Sequence, residues 1–189
     1  SPMSASTRST RSSSTVTKLG LLAAFCAVGG VLMASGQNIR SHYVSKAESD
    51  GVIYHTFPVT LFESREAGDL TFDITYKEHR GCRATINFTC RMAQAVPVDS
   101  VRFVSGRVVL AGPVEKLYLE PEKKGWKHRY TFDADGSLLC GFFDEGAEPE
   151  VSLYAGERPY VYRAKRPAWR SYAPIGYKIF EMIHVNERR

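Results

Sequence analysis

His128 is the histidine best placed for chemistry, because it shares one side of an alternating segment with Trp126, Tyr130 and Phe132. An imidazole held among apolar side chains has a shifted pKa and can serve as a general acid or base. The same placement suits a core histidine holding a hydrogen bond. His42, His55, His79 and His184 have no neighbours in sequence that define a triad or a ligand set. Glu63, Glu66, Asp69 and Asp73 cluster in sequence, and two carboxylates can flank a glycosidic bond. A solvated acidic edge explains the same four residues. Asp133, Asp135 and Asp144 resemble the start of a calcium loop, but glycine comes at the fourth position rather than the sixth, and Leu138, Leu139 and Cys140 follow. A turn and a capped helix fit that stretch better. The chain has no Gly-x-Ser-x-Gly elbow, no glycine-rich phosphate loop and no Cys-x-x-Cys pair. No catalytic residue, metal ligand or cofactor is therefore expected.

The richest cluster is aromatic and basic. Tyr154, Tyr160, Tyr162, Trp169, Tyr172 and Tyr177 are mixed with Arg158, Arg163, Lys165, Arg166 and Arg170. Aromatic and arginine side chains dominate interface hot spots, and aromatic rings also stack on sugars. The expected contact surface is Tyr154, Tyr160, Tyr162, Arg163, Trp169, Arg170 and Tyr172. The competing reading puts half of the rings in the core and leaves the charges as a solvated rim.

Charge narrows the partners. The net charge is +5. Residues 1–36 carry Arg8, Arg11 and Lys18 and no acid, whereas residues 37–154 hold 14 basic and 17 acidic side chains. Residues 155–189 hold 8 basic and 3 acidic. A nearly neutral body with a basic end is not the pattern of a nucleic-acid binder.

Residues 4–17 are mostly Ser and Thr, Lys18 follows, and Leu19 to Met33 is apolar before Ala34-Ser35-Gly36. A positive segment, an apolar run and small residues form a secretory signal peptide. Cleavage is expected after Gly36, leaving Gln37 first. The alternatives are a retained membrane anchor, a lipoprotein signal at Cys26, which Phe25 disfavours, and a mitochondrial presequence, for which the apolar run is too continuous. Three cysteines would follow the cleavage: Cys82, Cys90 and Cys140. That odd number allows at most one internal disulfide.

The rest of the chain must position these groups. Residues 37–50 are polar and read as a mobile lead-in to a β-rich domain over 51–189. Leu70, Phe72, Ile74 and Tyr76 alternate with polar residues, as do Ala84, Ile86, Phe88 and Cys90. Successive side chains of a strand point to opposite faces, so these are half-buried strands. Pro58 breaks an apolar stretch from Val52 to Phe62, and turn residues separate 101–105 from 107–110, 114–120 from 126–133, and 151–155 from 160–163. Asp135 or Ser137 would cap a short helix over 138–143. Pro174 would open an amphipathic C-terminal helix whose apolar stripe includes Ile175, Ile179, Met182 and Ile183. The expected fold is mainly β: a single antiparallel β-sandwich or barrel-like domain with a short helix and an amphipathic C-terminal helix.

Asn87-Phe88-Thr89 matches a glycosylation sequon. Asp99-Ser100-Val101 looks like the short O-glycosylation acceptor of exported Bacteroidetes proteins. The stretch Leu117 to Tyr130, LYLEPEKKGWKHRY, and the ending Ala173 to Ile183, APIGYKIFEMI, resemble a group of exported proteins of Bacteroidetes across roughly residues 50–189. The resemblance implies a periplasmic or cell-envelope setting and carries no activity with it. The function expected is a non-enzymatic binding or accessory protein of the envelope, with an envelope protein or glycan as partner and no nucleic acid. Any membrane contact would run through the leader, were it retained. The alternatives are a small exported hydrolase of glycan or peptide, built on a residue such as His128 or Asp73, and a structural subunit of an envelope assembly.

Overall fold

The computed structural model describes residues 38–188 apart from residue 145. The expected signal peptide over 1–36 lies outside the described residues. Eleven strands follow in order: β1 (Tyr43–Glu48), β2 (Gly51–Thr56), β3 (Val59–Ser64), β4 (Gly68–Lys77), β5 (Arg83–Met92), β6 (Ser100–Ser105), β7 (Val108–Pro113), β8 (Glu115–Glu122), β9 (Gly125–Asp135), β10 (Glu150–Ala155) and β11 (Arg158–Ala164). Two helices complete the domain: α1 (Leu139–Phe142) and α2 (Arg166–Glu187).

All ladders are antiparallel, and the strands form one nearly closed, barrel-like sheet. The order across it is β7-β6-β10-β11-β3-β4-β5-β9-β8, with β2 on the same edge of β4 as β3 and β1 on β2. Val59 to Ser64 pairs with one end of β4, and Ile53 to His55 with the other. The break between them falls at Phe57-Pro58, because proline has no N–H to give to a ladder.

Alternation filled the interior as expected. Leu70, Phe72, Ile74 and Tyr76 on β4 are buried, and so are Ala84, Ile86, Phe88 and Cys90 on β5. Phe103 of β6 stacks on Phe132 of β9 with ring centroids 5.6 Å apart, although those strands are not neighbours in the sheet. Phe62, Phe72 and Phe88 pack round Phe103 within 6.1 Å. The nearly closed sheet thus wraps round a packed aromatic core.

Two expectations about element boundaries change. Residues 38–50 are not an unstructured lead-in: Asn38 caps a 3-10 turn over Ile39–His42, and β1 forms a hairpin with β2 in the register Tyr43↔Thr56 to Glu48↔Gly51. Tyr43 anchors the strand, its ring 6.0 Å from Tyr54 and its hydroxyl 3.5 Å from the Met182 sulfur. The second change is the start of the last helix. α2 begins at Arg166, with Pro167 in its first turn and Pro174 in its interior. An internal proline costs a helix about 3 kcal/mol. Burial of Trp169, Tyr172 and Ala173 on the same stripe as Gly176, Phe180 and Ile183 offsets that cost.

Phe143, just after α1, sets how closely α2 approaches. Its ring stacks on Phe180 at 5.8 Å and on Trp169 at 5.8 Å. A Cβ at position 176 would come within 2.6 Å of that ring, so only glycine lets the helix lie so near. The 3-10 turn Gly136–Leu138 leads into α1 and is capped as expected: Asp135 accepts from the Ser137 amide at 2.9 Å and from its hydroxyl at 2.6 Å. Among the described residues no helix is long and apolar enough to cross a membrane.

Candidate functional site

The aromatic and basic cluster divides between the two sides of the sheet. Leu153 pairs with Tyr160 and Val151 with Tyr162, so these tyrosines share the inward side of their two apolar partners. Tyr162 is completely buried, and loss of solvent pushes its phenol far above the usual range. Tyr160 is half-buried and packs on the core. Trp169 is buried in α2, where its indole N–H donates to the Asp144 carbonyl at 3.2 Å. Tyr172, on the same helix, is 8 % exposed, and burial lifts its pKa to about 12. Of the seven expected contact residues, Tyr162, Trp169 and Tyr172 therefore belong to the core. Tyr154 is half-buried, and Arg163 and Arg170 are exposed.

The outward face of β10 and β11 is what remains. Tyr154 pairs with Pro159, Ser152 with Val161, and Glu150 with Arg163. The rows continue onto β6, where Ser152 faces Arg102 and Tyr154 faces Ser100. Strands lie about 4.8 Å apart, so Arg102, Ser152 and Val161 form one row roughly 10 Å long. Among the described residues the only ion pair across these strands is Arg163 to Glu150, at 3.6 Å and well exposed.

Beside this face the sheet opens. β11 pairs with β10 over its whole length, but its ladder with β3 holds only Arg163↔Glu63 and Ala164↔Phe62. One more bond, from the Lys165 amide to the Leu61 carbonyl at 2.8 Å, extends the closed end. Beyond Arg163 the two strands part around a surface groove of ≈ 620 Å³, lined by Glu63, Ser64, Arg65, Glu66, Arg158, Pro159, Val161 and Arg163. Arg158 reaches over it and holds both oxygens of Glu66 at 3.0 and 3.2 Å. The Arg65 and Arg102 side chains have no hydrogen bond or ion pair among the described residues. Of the groove lining only Arg163 was in the expected site, and Arg102 was not. Register carries the signal for them, and register is a property of pairing between distant segments.

Chemistry of another kind is brought together between α1 and α2. The Cys140 sulfur lies 3.4 Å from His184 Nδ1, across 44 residues of sequence. A thiol and an imidazole at that distance can make a nucleophile and its base. Here burial and the Glu181 carboxylate both push the Cys140 thiol up, which favours the protonated sulfur. His184 Nε2 is buried without a partner, so no third group orients the ring. The pair is a side-chain contact without the further groups an acyl-transfer site requires.

His128 and Asp73, the residues named for a hydrolase, are both engaged. His128 is fully buried, with Nδ1 3.2 Å from the Tyr130 hydroxyl and Nε2 3.2 Å from the Gln94 carbonyl. Desolvation holds its pKa below the ordinary histidine value. Asp73 points outward, accepting from Arg129 at 2.7 Å and from Asn87 at 2.8 Å. The two do not converge on one cleft. Cys82, Cys90 and Cys140 are free thiols, and burial raises Cys90 to about 12. Among the described residues no three His, Cys, Asp or Glu side chains are grouped to hold a metal ion.

Compared with known proteins, the chain matches no family model, no curated protein and no solved structure.

Proposed function

We propose that this protein is exported and acts in the cell envelope by binding a partner, without catalysing a reaction on it. The contact surface is the outward face of β10 and β11, with the adjoining groove beside β3. One observation carries the reading: where β3 and β11 part, the Arg65 side chain has no partner among the described residues and stands in one groove with Val161 and Pro159, and Arg102 on the adjoining β6 has none either. Tyrosine and arginine over a partly apolar floor make the composition of an interface hot spot. The export half of the proposal rests on the apolar run Leu19 to Met33, followed by small residues up to Gly36.

Crosslinking in the native envelope followed by capture of the tagged protein tests the binding half. Replacing Tyr154 and Arg163 together, Y154A with R163E, should abolish capture of the crosslinked partner while thermal unfolding stays unchanged. Unchanged capture removes this face from the proposal. Intact mass of the exported product tests the other half, with Gln37 expected as its first residue.

A further inference from the structure

The groove also has a backbone side. Along an antiparallel strand, both polar groups of a residue point to the same edge, and the edge alternates from residue to residue. The Ala164 amide bonds to the Pro149 carbonyl, towards β10, whereas the Lys165 amide bonds to the Leu61 carbonyl, towards β3. Odd-numbered residues of β11 therefore present their backbone to β3. Arg163 is used in the ladder with Glu63. Val161 is next, and its N–H and C=O enter the groove with no ladder partner among the described residues. Pro159 follows and has no N–H, which limits any added strand to a short one.

Side chains set the sign of what fits. Val161 stands in one row with Ser152 and Arg102 on its β10 side. Continuing the β3 ladder by one bonded pair would bring residue 65 opposite Val161, and Arg65 lines the groove. Val161 thus faces one arginine without a side-chain partner among the described residues, Arg65, while Arg102 lies two strands away beyond β10. The free carboxylate nearby, Glu63, stands at the closed end of the groove, where the ladder still holds. Glu66 is engaged by Arg158.

We propose that this opening takes a short, extended, acidic peptide segment of a partner protein, which pairs with the backbone of Val161 and places a carboxylate against Arg65. Strand addition to an open edge takes affinity from main-chain hydrogen bonds and specificity from the flanking side chains. A peptide is favoured over an anionic glycan or lipid headgroup because a donor and an acceptor of the backbone are both on offer. The inference rests on the binding reading above and names the partner's chemistry.

Fluorescein-labelled octaglutamate, titrated with the full chain and read by anisotropy, provides the test. Binding is expected at low salt and should weaken as salt is raised. The R65E variant should bind at least about tenfold more weakly, since a charge contact is being reversed and tenfold is about 1.4 kcal/mol. Octaglutamate N-methylated at every residue keeps its charge and loses its donors, so it should bind several-fold more weakly. R170E, on α2 away from the groove, should bind as the parent does. Equal binding of the methylated and plain peptides overturns strand addition, and unchanged binding by R65E overturns the site. Tighter binding of oligogalacturonate or of phosphatidylglycerol vesicles than of octaglutamate reassigns the groove to a glycan or a membrane and also overturns the proposal. If octaglutamate fails to bind while Y154A/R163E still loses its crosslinked partner, the peptide falls and the binding surface stands. If capture is unchanged as well, both fall.

Discussion

The outward face of β4, β5, β9 and β8 and the outward face of β11, β10, β6 and β7 are built on the same alternating pattern but treat their polar side chains differently. On the first, side chains bind each other across strands. Arg129 holds Asp73 at 2.7 Å and Thr89 at 3.0 Å, Asn87 donates to Asp73 at 2.8 Å, and Thr85 donates to Asp133 at 3.0 Å. Arg91 meets Glu122 at 2.9 Å and Lys127 meets Glu120 at 3.5 Å. Thr131 is the exception, its hydroxyl buried without a partner. On the second face the exposed Arg163–Glu150 pair stands among Val104, Val109, Ala111, Val161 and an unpartnered Arg102. A saturated lattice has nothing left for a partner, whereas an unsaturated face over small apolar side chains gains by being covered. The two surfaces therefore differ in how far their own side chains satisfy one another, and cross-strand register makes the difference.

The largest effect should come from breaking the saturated face. Asp73→Ala leaves the Arg129 guanidinium and the Asn87 amide without their acceptor, and both are partly screened from water. It should cost about 1–3 kcal/mol in denaturant unfolding, the usual consequence of stranding a half-buried donor. A loss within about 0.5 kcal/mol would mean that the lattice is as loose as the other face.

A smaller effect belongs to the inward side of the same strand β9. His128 has a lowered pKa in the folded protein, while the unfolded chain has the ordinary value of about 6.5. Above that pH both states are neutral and the contribution is complete. As pH falls through 6.5, the unfolded chain takes up the proton first, so stability drops until the folded value is reached. The thermal midpoint should fall below about pH 6.5, and His128→Gln should flatten that part of the profile. An equal slope in both proteins would assign the acid sensitivity to carboxylates.

The smallest effects sharpen the contrast. A double-mutant cycle on Arg163 and Glu150 should give a coupling within about 0.5 kcal/mol, as exposed pairs do. The cycle on Asp73 and Arg129 should exceed it. Arg102→Ala should leave stability within about 0.5 kcal/mol of the parent, because nothing in the described chain depends on its charge. A clear destabilisation there would show that Arg102 serves the fold.

Much of the architecture was legible because its physics is local. The alternations over 70–77, 84–91 and 126–133 became β4, β5 and β9, and the breaks at Pro58, Gly106 and Gly156 fell between strands. Pro174 reads in the sequence as a helix opener, whereas α2 runs through it from Arg166, carried across that proline by the burial of Trp169, Tyr172, Ala173, Phe180 and Ile183. β1 was read as a lead-in because its residues are polar and exposed, and its order comes from pairing with β2. The candidate site was half legible. Clustering drew notice to 154–172, but aromatic rings are equally suited to a core and to an interface. Burial sent Tyr162 and Trp169 one way and register sent Tyr154 and Arg163 the other.

By itself the sequence determined that this domain would be an antiparallel β structure with an amphipathic last helix, because hydrophobic period and turn chemistry act within a few residues. Tertiary structure alone decided that β3 and β11 part after two pairs, that Arg102 and Val161 share a row, and that Cys140 meets His184. Those juxtapositions join segments far apart in the chain, and only closing the sheet round its aromatic core brings them together.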